Sequence, residues 1–209
     1  MPTSSKGEKV VIIGVGGHGH VVRNILEHHL DAHIIALLDD DTTKEGVADS
    51  VSAFTRYIND ARFIIAIGNN ETRERIYTML CNESALFINV IHPDALIEDD
   101  VRIGQGVMIG ARTYLNTGAE IGDNTIINNG VIIEHHTRVG NHCHIAPRVV
   151  TGGDVIIEDT VWVGLGSTIR NEITIKARSF IGMGSNVVKD VEGDSVYYGN
   201  PARKISSRV

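Results

Sequence analysis

Residues 9–90 alternate short apolar runs with longer segments whose apolar residues recur at helical spacing. A glycine-rich turn, Gly14 to Gly19, separates the first run from the first helical segment. Strand–turn–helix units of this kind build a small parallel sheet, so a Rossmann-like α/β unit is predicted. The predicted strands are Lys9 to Ile13, Ile34 to Leu38 and Phe63 to Ile67, and the predicted helices are His20 to Leu30 and Glu71 to Leu80.

From Leu96 onwards the apolar pattern has a period of six, which continues without an insertion to Val191 and gives sixteen hexads. The second position of each hexad is Ile, Leu or Val, with Thr151 as the exception, and the sixth is small or β-branched. Neither a helix nor a simply alternating strand has this period. A short strand and a turn every six residues do, so an all-β solenoid is predicted.

Composition and charge narrow the functional classes. Lys and Arg number 19 and Asp and Glu 26, and the resulting formal charge of −7 argues against a general binder of nucleic acid or anionic membranes. The longest aliphatic runs, of about four residues, are too short for membrane insertion. Two distant cysteines, Cys81 and Cys143, and a polar N-terminus without a signal-peptide pattern favour free thiols and a cytoplasmic location.

Three features together resemble a known family. The glycine-rich N-terminal unit, the residues Ile91 to Pro93 before the hexads and the closing motif Tyr198 to Lys204 are similar to those of hexapeptide-repeat acyltransferases. The resemblance is to the subgroup of bacterial nucleotide-sugar N-acetyltransferases of bacillosamine-type pathways and sialic acid O-acetyltransferases. It implies a left-handed parallel β-helix of about five coils, three hexads to a coil, in an acetyl-CoA-dependent homotrimer. The predicted domains are a polar tail (1–8), a nucleotide-sugar-binding α/β domain (9–90), the β-helix (91–195) and a C-terminal tail (196–209).

The N-terminal loop fits the pattern G-x-G-x-x-G at Gly14, Gly16 and Gly19, and Asp39 follows at the end of the second predicted strand. Glycines let a backbone approach a diphosphate, and an acidic residue in that place can bind ribose or a base. The pattern alone also fits a tight turn without a ligand. The resemblance implies a nucleotide-sugar site formed by Gly16, Gly17, His18, Asp39, Asp40 and Gly68.

Four histidines lie between His135 and His144, and in the hexad register His135 and His136 fall in a turn. Any one of them also fits an ordinary surface position. The resemblance implies that His135 is the general base and that His144 binds the thioester carbonyl or the pantetheine of acetyl-CoA. It also implies that Leu165 and Met183 contact this cofactor.

The sequence departs from the family pattern after the base, where an Asp or Glu is usual and His136 stands instead. Glu134 and Asp154, which lies 18 residues after His136, are the candidate replacements. A third possibility is that no carboxylate takes part and water assists the reaction.

The expected function is acetyl transfer from acetyl-CoA to the amine of a nucleotide-linked sugar, UDP being the expected nucleotide and a 4-amino-4,6-dideoxy sugar the expected acceptor. Imidazole titrates in the range needed to accept the amine proton, and the reaction needs no metal. The alternatives are O-acetylation of a sialic-acid-like sugar, a metal enzyme like the γ-carbonic anhydrases, which hold zinc through histidines on this fold, and a non-catalytic scaffold.

Overall fold

The computed structural model describes residues 7–208 and divides into two compact units, residues 1–90 and 91–209. Most of the predicted N-terminal tail, residues 1–6, lies outside the described residues. Glu8, the last residue of that predicted tail, already belongs to the first strand.

The first unit is an α/β domain with a parallel sheet. Within residues 7–90 the sheet has four strands in the order β2-β1-β3-β4. One face of it buries Val11, Ile13, Phe63 and Ile65 against Ile76 and Leu80 of the second helix. The elements are β1 (Glu8–Ile13), α1 (Gly17–His29), β2 (Ala32–Leu38), a 3-10 helix (Val51–Tyr57), β3 (Arg62–Ile65), α2 (Asn70–Asn82) and β4 (Leu86–Phe87).

The first helix begins earlier than predicted, at Gly17 rather than His20. The last part of the predicted loop is therefore the first helical turn. A side chain at Gly19 would overlap the carbonyl oxygen of Gly14, so the third glycine of the motif lets the helix pack closely on the turn.

The second unit is a solenoid of two-residue strands in three parallel faces. The first face contains β5 (Val90–Ile91), β8 (Met108–Ile109), β11 (Ile126–Ile127), β14 (His144–Ile145), β17 (Trp162–Val163) and β20 (Phe180–Ile181). The second contains β6 (Leu96–Ile97), β9 (Tyr114–Leu115), β12 (Ile132–Ile133), β15 (Val150–Thr151), β18 (Thr168–Ile169) and β21 (Asn186–Val187). The third contains β7 (Arg102–Ile103), β10 (Glu120–Ile121), β13 (Arg138–Val139), β16 (Ile156–Ile157) and β19 (Thr174–Ile175).

Strands of one face pair with partners 18 residues away, as Ile127 does with Ile145 and Val163 with Ile181. Every third hexad therefore stacks on the previous coil, which confirms the predicted repeat. The second-position side chains point inward and form a continuous aliphatic core. Thr151, the exception to the pattern, is also buried, and its hydroxyl accepts a hydrogen bond of 3.0 Å from the N–H of Glu134.

The fifth position of each hexad turns the corner between two faces. From Gly106 to Gly184 every sixth residue has a positive φ between 53° and 68°. Glycine adopts this conformation without strain, and Asn and Asp tolerate it better than most residues. His136 and Asp154 both occupy such corner positions.

The two ends of the solenoid differ from the prediction. β5 starts the first face one hexad before Leu96, and two strands continue it after Val191, namely β22 (Ser195–Tyr198) and β23 (Arg203–Ser207). β22 pairs parallel with β20 and antiparallel with β23. Most of the predicted C-terminal tail, 196–209, thus lies in these two strands. The second face has one strand per coil and six strands in the described residues, where about five coils were expected.

In residues 7–208 no helix has the length and apolar character that crossing a membrane requires. Cys81 is exposed and Cys143 is buried, and within residues 7–208 neither forms a disulfide. The cytoplasmic location stays a prediction.

Candidate active site

A cleft of about 330 Å³ lies in the α/β unit at the carboxyl ends of its strands. All six residues predicted to hold the nucleotide sugar line it: Gly16, Gly17, His18, Asp39, Asp40 and Gly68. Parallel strands end on the same edge of a sheet, and three separate loops therefore meet there. Their part in binding a substrate stays a prediction.

Three of the cleft glycines are not needed for packing. A side chain added at Gly16, Gly17 or Gly68 would meet no atom within 4 Å, and none of the three has a positive φ. By contrast, Gly14 has a φ of +97° and lies against Ala66 and Ile67. Gly14 is therefore required by the turn itself, whereas the other three leave open space beside exposed backbone.

The two aspartates of the cleft have different surroundings. Asp39 accepts hydrogen bonds from the N–H groups of Val15 (2.7 Å) and Asp41 (2.9 Å) and from the Lys44 ammonium (2.8 Å). Partial burial acts to raise the pKa of Asp39, but these hydrogen bonds outweigh it and hold the pKa below its ordinary value. Asp39 thus ties the glycine-rich turn to the end of β2, while Asp40 is exposed and accepts a hydrogen bond from the Val51 N–H (3.1 Å).

His18 and Arg73 place a neutral ring and a fixed cation near the cleft. Arg73 is only 1% exposed and donates to the carbonyl oxygens of Ile67 (2.9 Å) and Gly68 (3.2 Å) and to the side chain of Asn70 (2.9 Å). It thereby holds the loop that contains Gly68. Burial, and then the charge of Arg73, lower the pKa of His18 from 6.5 to about 4, so its ring is uncharged at neutral pH.

Sequence reasoning missed three polar residues of the cleft, namely Lys44, Thr72 and Arg75. Thr72 and Arg75 lie in the first turns of α2, and Lys44 lies in the loop after β2. The signal available in the sequence was their position just after predicted strands, at the edge where the glycine-rich loop also lies.

The predicted base, His135, lies in the turn between β12 and β13, where its side chain is 47% exposed. Its Nδ1 atom is 3.2 Å from Nδ1 of His136 and 3.7 Å from Oδ2 of Asp154. We call these three residues the histidine corner. One nitrogen from each histidine and one carboxylate oxygen, atoms of the kinds that can bind a metal ion, all lie within 4.8 Å of one another.

The other candidate carboxylate, Glu134, is already engaged. Its Oε2 accepts a hydrogen bond of 2.7 Å from the side-chain amide of Asn116, whose own oxygen accepts one from the Tyr114 hydroxyl (3.2 Å). The Tyr114 hydroxyl is also within 2.9 Å of Glu98. This network runs along the second face, and Glu134 Oε2 also accepts a hydrogen bond of 3.4 Å from the backbone N–H of His135.

His144 lies on a different part of the β-helix from His135. It belongs to β14 on the first face, is 7% exposed and begins a column of rings, with Trp162 4.1 Å from it between ring centroids. Phe180 and Tyr198 continue the column at 6.1 Å for each step. Sequence reasoning missed these three aromatic residues, although their spacing of 18 matches the coil.

Leu165 and Met183 stack in the corner between the first and second faces, and both are exposed, Met183 by 74%. The Gly184 N–H donates to the carbonyl of Leu165 (2.8 Å), which places one above the other. The neighbouring glycines are explained by coil packing, because a side chain at Gly164 or Gly182 would overlap the next coil.

The four histidines do not converge on one point. His142 lies in the corner between the third and first faces, where its Nδ1 is 2.9 Å from the side-chain nitrogen of Asn124, and His144 lies on the first face. Among the described residues, only the histidine corner groups three or more ligand-type side chains.

Two family models match the chain in the same order as its units. The model of the PglD N-terminal domain matches residues 9–80, and the model of the GMPPB C-terminal domain matches residues 88–164.

Solved structures match the chain over nearly its whole length. PerB from Caulobacter crescentus, solved in complex with CoA and GDP-perosamine, is 30% identical with a TM-score of 0.89 and covers 98% of this chain and 100% of its own. The chain belongs to the hexapeptide-repeat nucleotide-sugar N-acetyltransferase family. The acetyltransferase domain of PglB from Neisseria gonorrhoeae FA1090 is 26% identical with a TM-score of 0.90 and covers 95% of this chain and 100% of its own. These matches confirm the predicted left-handed β-helix.

Curated relatives of this family match over a shorter range. UDP-N-acetylbacillosamine N-acetyltransferase of Bacillus subtilis (strain 168) is 36% identical over 112 residues, 50% of this chain and 52% of the relative. GDP-perosamine N-acetyltransferase of Escherichia coli O157:H7 is 30% identical over 111 residues, 53% of this chain and 50% of the relative. The chain thus spans about half the length of the curated relatives it matches.

Proposed function

We propose that this protein transfers the acetyl group of acetyl-CoA to the amine of a nucleotide-linked amino sugar. The observation that carries the proposal is the combination of a glycine-lined cleft in the α/β unit with an exposed imidazole beside a carboxylate on the β-helix. We expect UDP as the nucleotide and a 4-amino-4,6-dideoxy sugar as the acceptor. The family relatives support the reaction class, since two are named as N-acetyltransferases of UDP- and GDP-linked sugars.

The chemistry needs one base. The amine nitrogen attacks the thioester carbonyl, a C–N bond forms and the C–S bond breaks. The amine proton passes to Nε2 of His135 and then to the departing thiolate of CoA, which leaves as the thiol. We assign this step to Nε2 because Nδ1 faces His136 and Asp154.

The cleft supplies groups for each part of a nucleotide diphosphate. Gly16 and Gly17 offer open backbone at the start of α1, where a diphosphate is favoured. Lys44 and Arg75 add cations on other sides of the cleft. Asp40, which is exposed, is placed to accept hydrogen bonds from ribose or base, whereas Asp39 is engaged in holding the loop.

We further propose a homotrimer with shared active sites. His135 lies between the second and third faces, His144 on the first, and Leu165 and Met183 between the first and second. The base and the proposed cofactor residues are therefore spread over different sides of one chain, and a neighbouring copy can bring the two sets together. The ring column from His144 to Tyr198 gives the first face an apolar surface suited to such contact.

The first test is thiol release from acetyl-CoA with a panel of acceptors. We expect rapid release with one UDP-linked 4-amino-4,6-dideoxy sugar, slower release with its GDP and dTDP counterparts, and N-acetyl product by mass spectrometry. Release only with sialic-acid-like acceptors, giving an O-acetyl product, would replace N-acetylation by O-acetylation. Absence of release with every acceptor would reject the acetyltransferase proposal.

The second test replaces the base. His135→Asn should lower kcat by about a hundredfold to ten-thousandfold, the usual contribution of general-base catalysis, with little change in either KM. Circular dichroism and the assembly mass serve as controls for folding. A loss of only a few fold, recovered by raising the pH, would show that His135 positions the substrate without accepting its proton.

The third test distinguishes binding of the nucleotide sugar from binding of acetyl-CoA. Asp40→Ala should raise KM for the nucleotide sugar, by roughly tenfold for the loss of a hydrogen bond to a charged group, and leave KM for acetyl-CoA nearly unchanged. Asp41→Ala is the matched control, because Asp41 lies in the same loop and does not line the cleft. Equal effects of the two variants, or equal effects on both KM values, would contradict a direct role for Asp40.

The fourth test concerns assembly. Light scattering of the purified protein should give a mass near three times 22.7 kDa. Trp162→Glu, which places a charge in the ring column, should lower that mass and the rate of acetyl transfer together. A fully active monomer would reject the shared active site.

A further inference from the structure

One nitrogen of the His135 ring, Nδ1, lies close to two neighbouring side chains. Nδ1 faces Nδ1 of His136 at 3.2 Å and Oδ2 of Asp154 at 3.7 Å. A histidine that takes a proton on Nε2 becomes a cation with a second N–H at Nδ1. The group that accepts from that N–H fixes the tautomer beforehand and stabilises the positive charge afterwards.

We propose that Asp154 is the positioning residue of His135, and that its carboxylate reaches the ring from the next coil of the β-helix. The inference rests on the function proposed above, in which Nε2 accepts the amine proton. Asp154 keeps the remaining proton on Nδ1 and so leaves Nε2 free to act as the base. It also supplies the negative charge that the imidazolium needs during acetyl transfer.

The β-helix backbone sets this contact. The N–H of Asp154 donates to the carbonyl oxygen of His135 at 2.9 Å, so the two residues lie on adjacent coils. Asp154 has a φ of 57° in its corner position. The residue before it is Gly153, and a side chain there would overlap the His135 ring. The glycine therefore lets the imidazole lie against the next coil, directly beside the carboxylate.

Asp154 is better suited to this role than the two residues next to His135. Glu134 directs its carboxylate to Asn116 (2.7 Å). His136 packs its ring towards Gly118 on the preceding coil. A carboxylate such as that of Asp154 forms a stronger, charge-assisted hydrogen bond to an imidazolium than an imidazole nitrogen does. The separation of 3.7 Å is longer than a hydrogen bond, and catalytic hydrogen bonds often shorten only when substrate is bound.

The decisive variant is Asp154→Asn, because asparagine keeps the corner conformation and removes the charge. We expect kcat to fall by about tenfold to a hundredfold, the usual effect of losing the partner that orients a functional histidine, and both KM values to stay within about twofold. Glu172→Gln is the matched control. Glu172 occupies the same corner one coil further on, with a φ of 58°, and the change removes the same charge. Equal losses in the two variants would overturn the proposal, as would an unchanged kcat in Asp154→Asn.

A rescue experiment distinguishes positioning from a structural role. His136→Glu in the Asp154→Asn background places a carboxylate directly after His135, and it should recover at least about tenfold in kcat. If Asp154 had only a structural role, a carboxylate at position 136 would not restore kcat. An absence of recovery would therefore contradict the inference.

A second readout does not depend on activity. Nitrogen NMR of the labelled imidazole, assigned with the His135→Asn protein, should show the proton of neutral His135 on Nδ1, and Asp154→Asn should shift the tautomer towards Nε2–H. An unchanged tautomer would overturn the inference. If the wild-type protein releases no thiol with any acceptor, the proposed function fails, while this measurement still decides the contact between Asp154 and His135.

Discussion

The stacking of residues 18 apart is the constraint on which the β-helix depends. Each two-residue strand has its N–H and C=O groups paired with the coils before and after it, and each second-position side chain adds to one aliphatic column. Since these strands are too short to be stable alone, a coil is held by its neighbours rather than by its own contacts. A residue inserted anywhere between Leu96 and Val191 would turn the inward side chains of that coil outward.

The candidate active site uses departures from this regular pattern. On the coil after that of His135, the inward position is Thr151, and its hydroxyl accepts a hydrogen bond from the Glu134 N–H. One coil earlier, the equivalent N–H, of Asn116, donates to the carbonyl oxygen of Ile133. Two residues later Gly153 replaces a side chain and makes room for the imidazole. This coil therefore departs from the regular packing at Thr151 and Gly153, and the His135 ring lies in the space beside Gly153. The regular coils on either side support this coil.

In the α/β unit, charged side chains hold the loops that form the cleft. Arg73 is buried and donates hydrogen bonds to the carbonyl oxygens of the loop that contains Gly68. Asp39 accepts a hydrogen bond from the glycine-rich turn. Two ionic groups therefore fix the loops that shape the cleft, and exposed groups such as Asp40 remain at its surface. His18 stays uncharged beside them because burial and Arg73 lower its pKa. A nucleotide diphosphate would accordingly meet preformed loops instead of having to order them.

The sequence by itself determined both units of the fold. Its helical and six-residue periods come from burial of one face or one position, a local rule that requires no knowledge of distant contacts. The same periodicity predicted that Asp154 stacks near the turn of His135 and His136, because residues 18 apart are neighbours in any regular β-helix. The family resemblance supplied the six cleft residues that the loops bring together.

The tertiary structure decided which groups each of these side chains contacts. Asp39 is held against the glycine-rich turn by Val15 and Lys44. Glu134 contacts Asn116, whereas Gly153 leaves space for the His135 ring beside Asp154. The two strands from Ser195 onwards also became visible only in three dimensions. The physical reason is that a hydrogen bond is fixed to a few tenths of an ångström by the packing around both partners, whereas a residue pattern records only which face each side chain occupies.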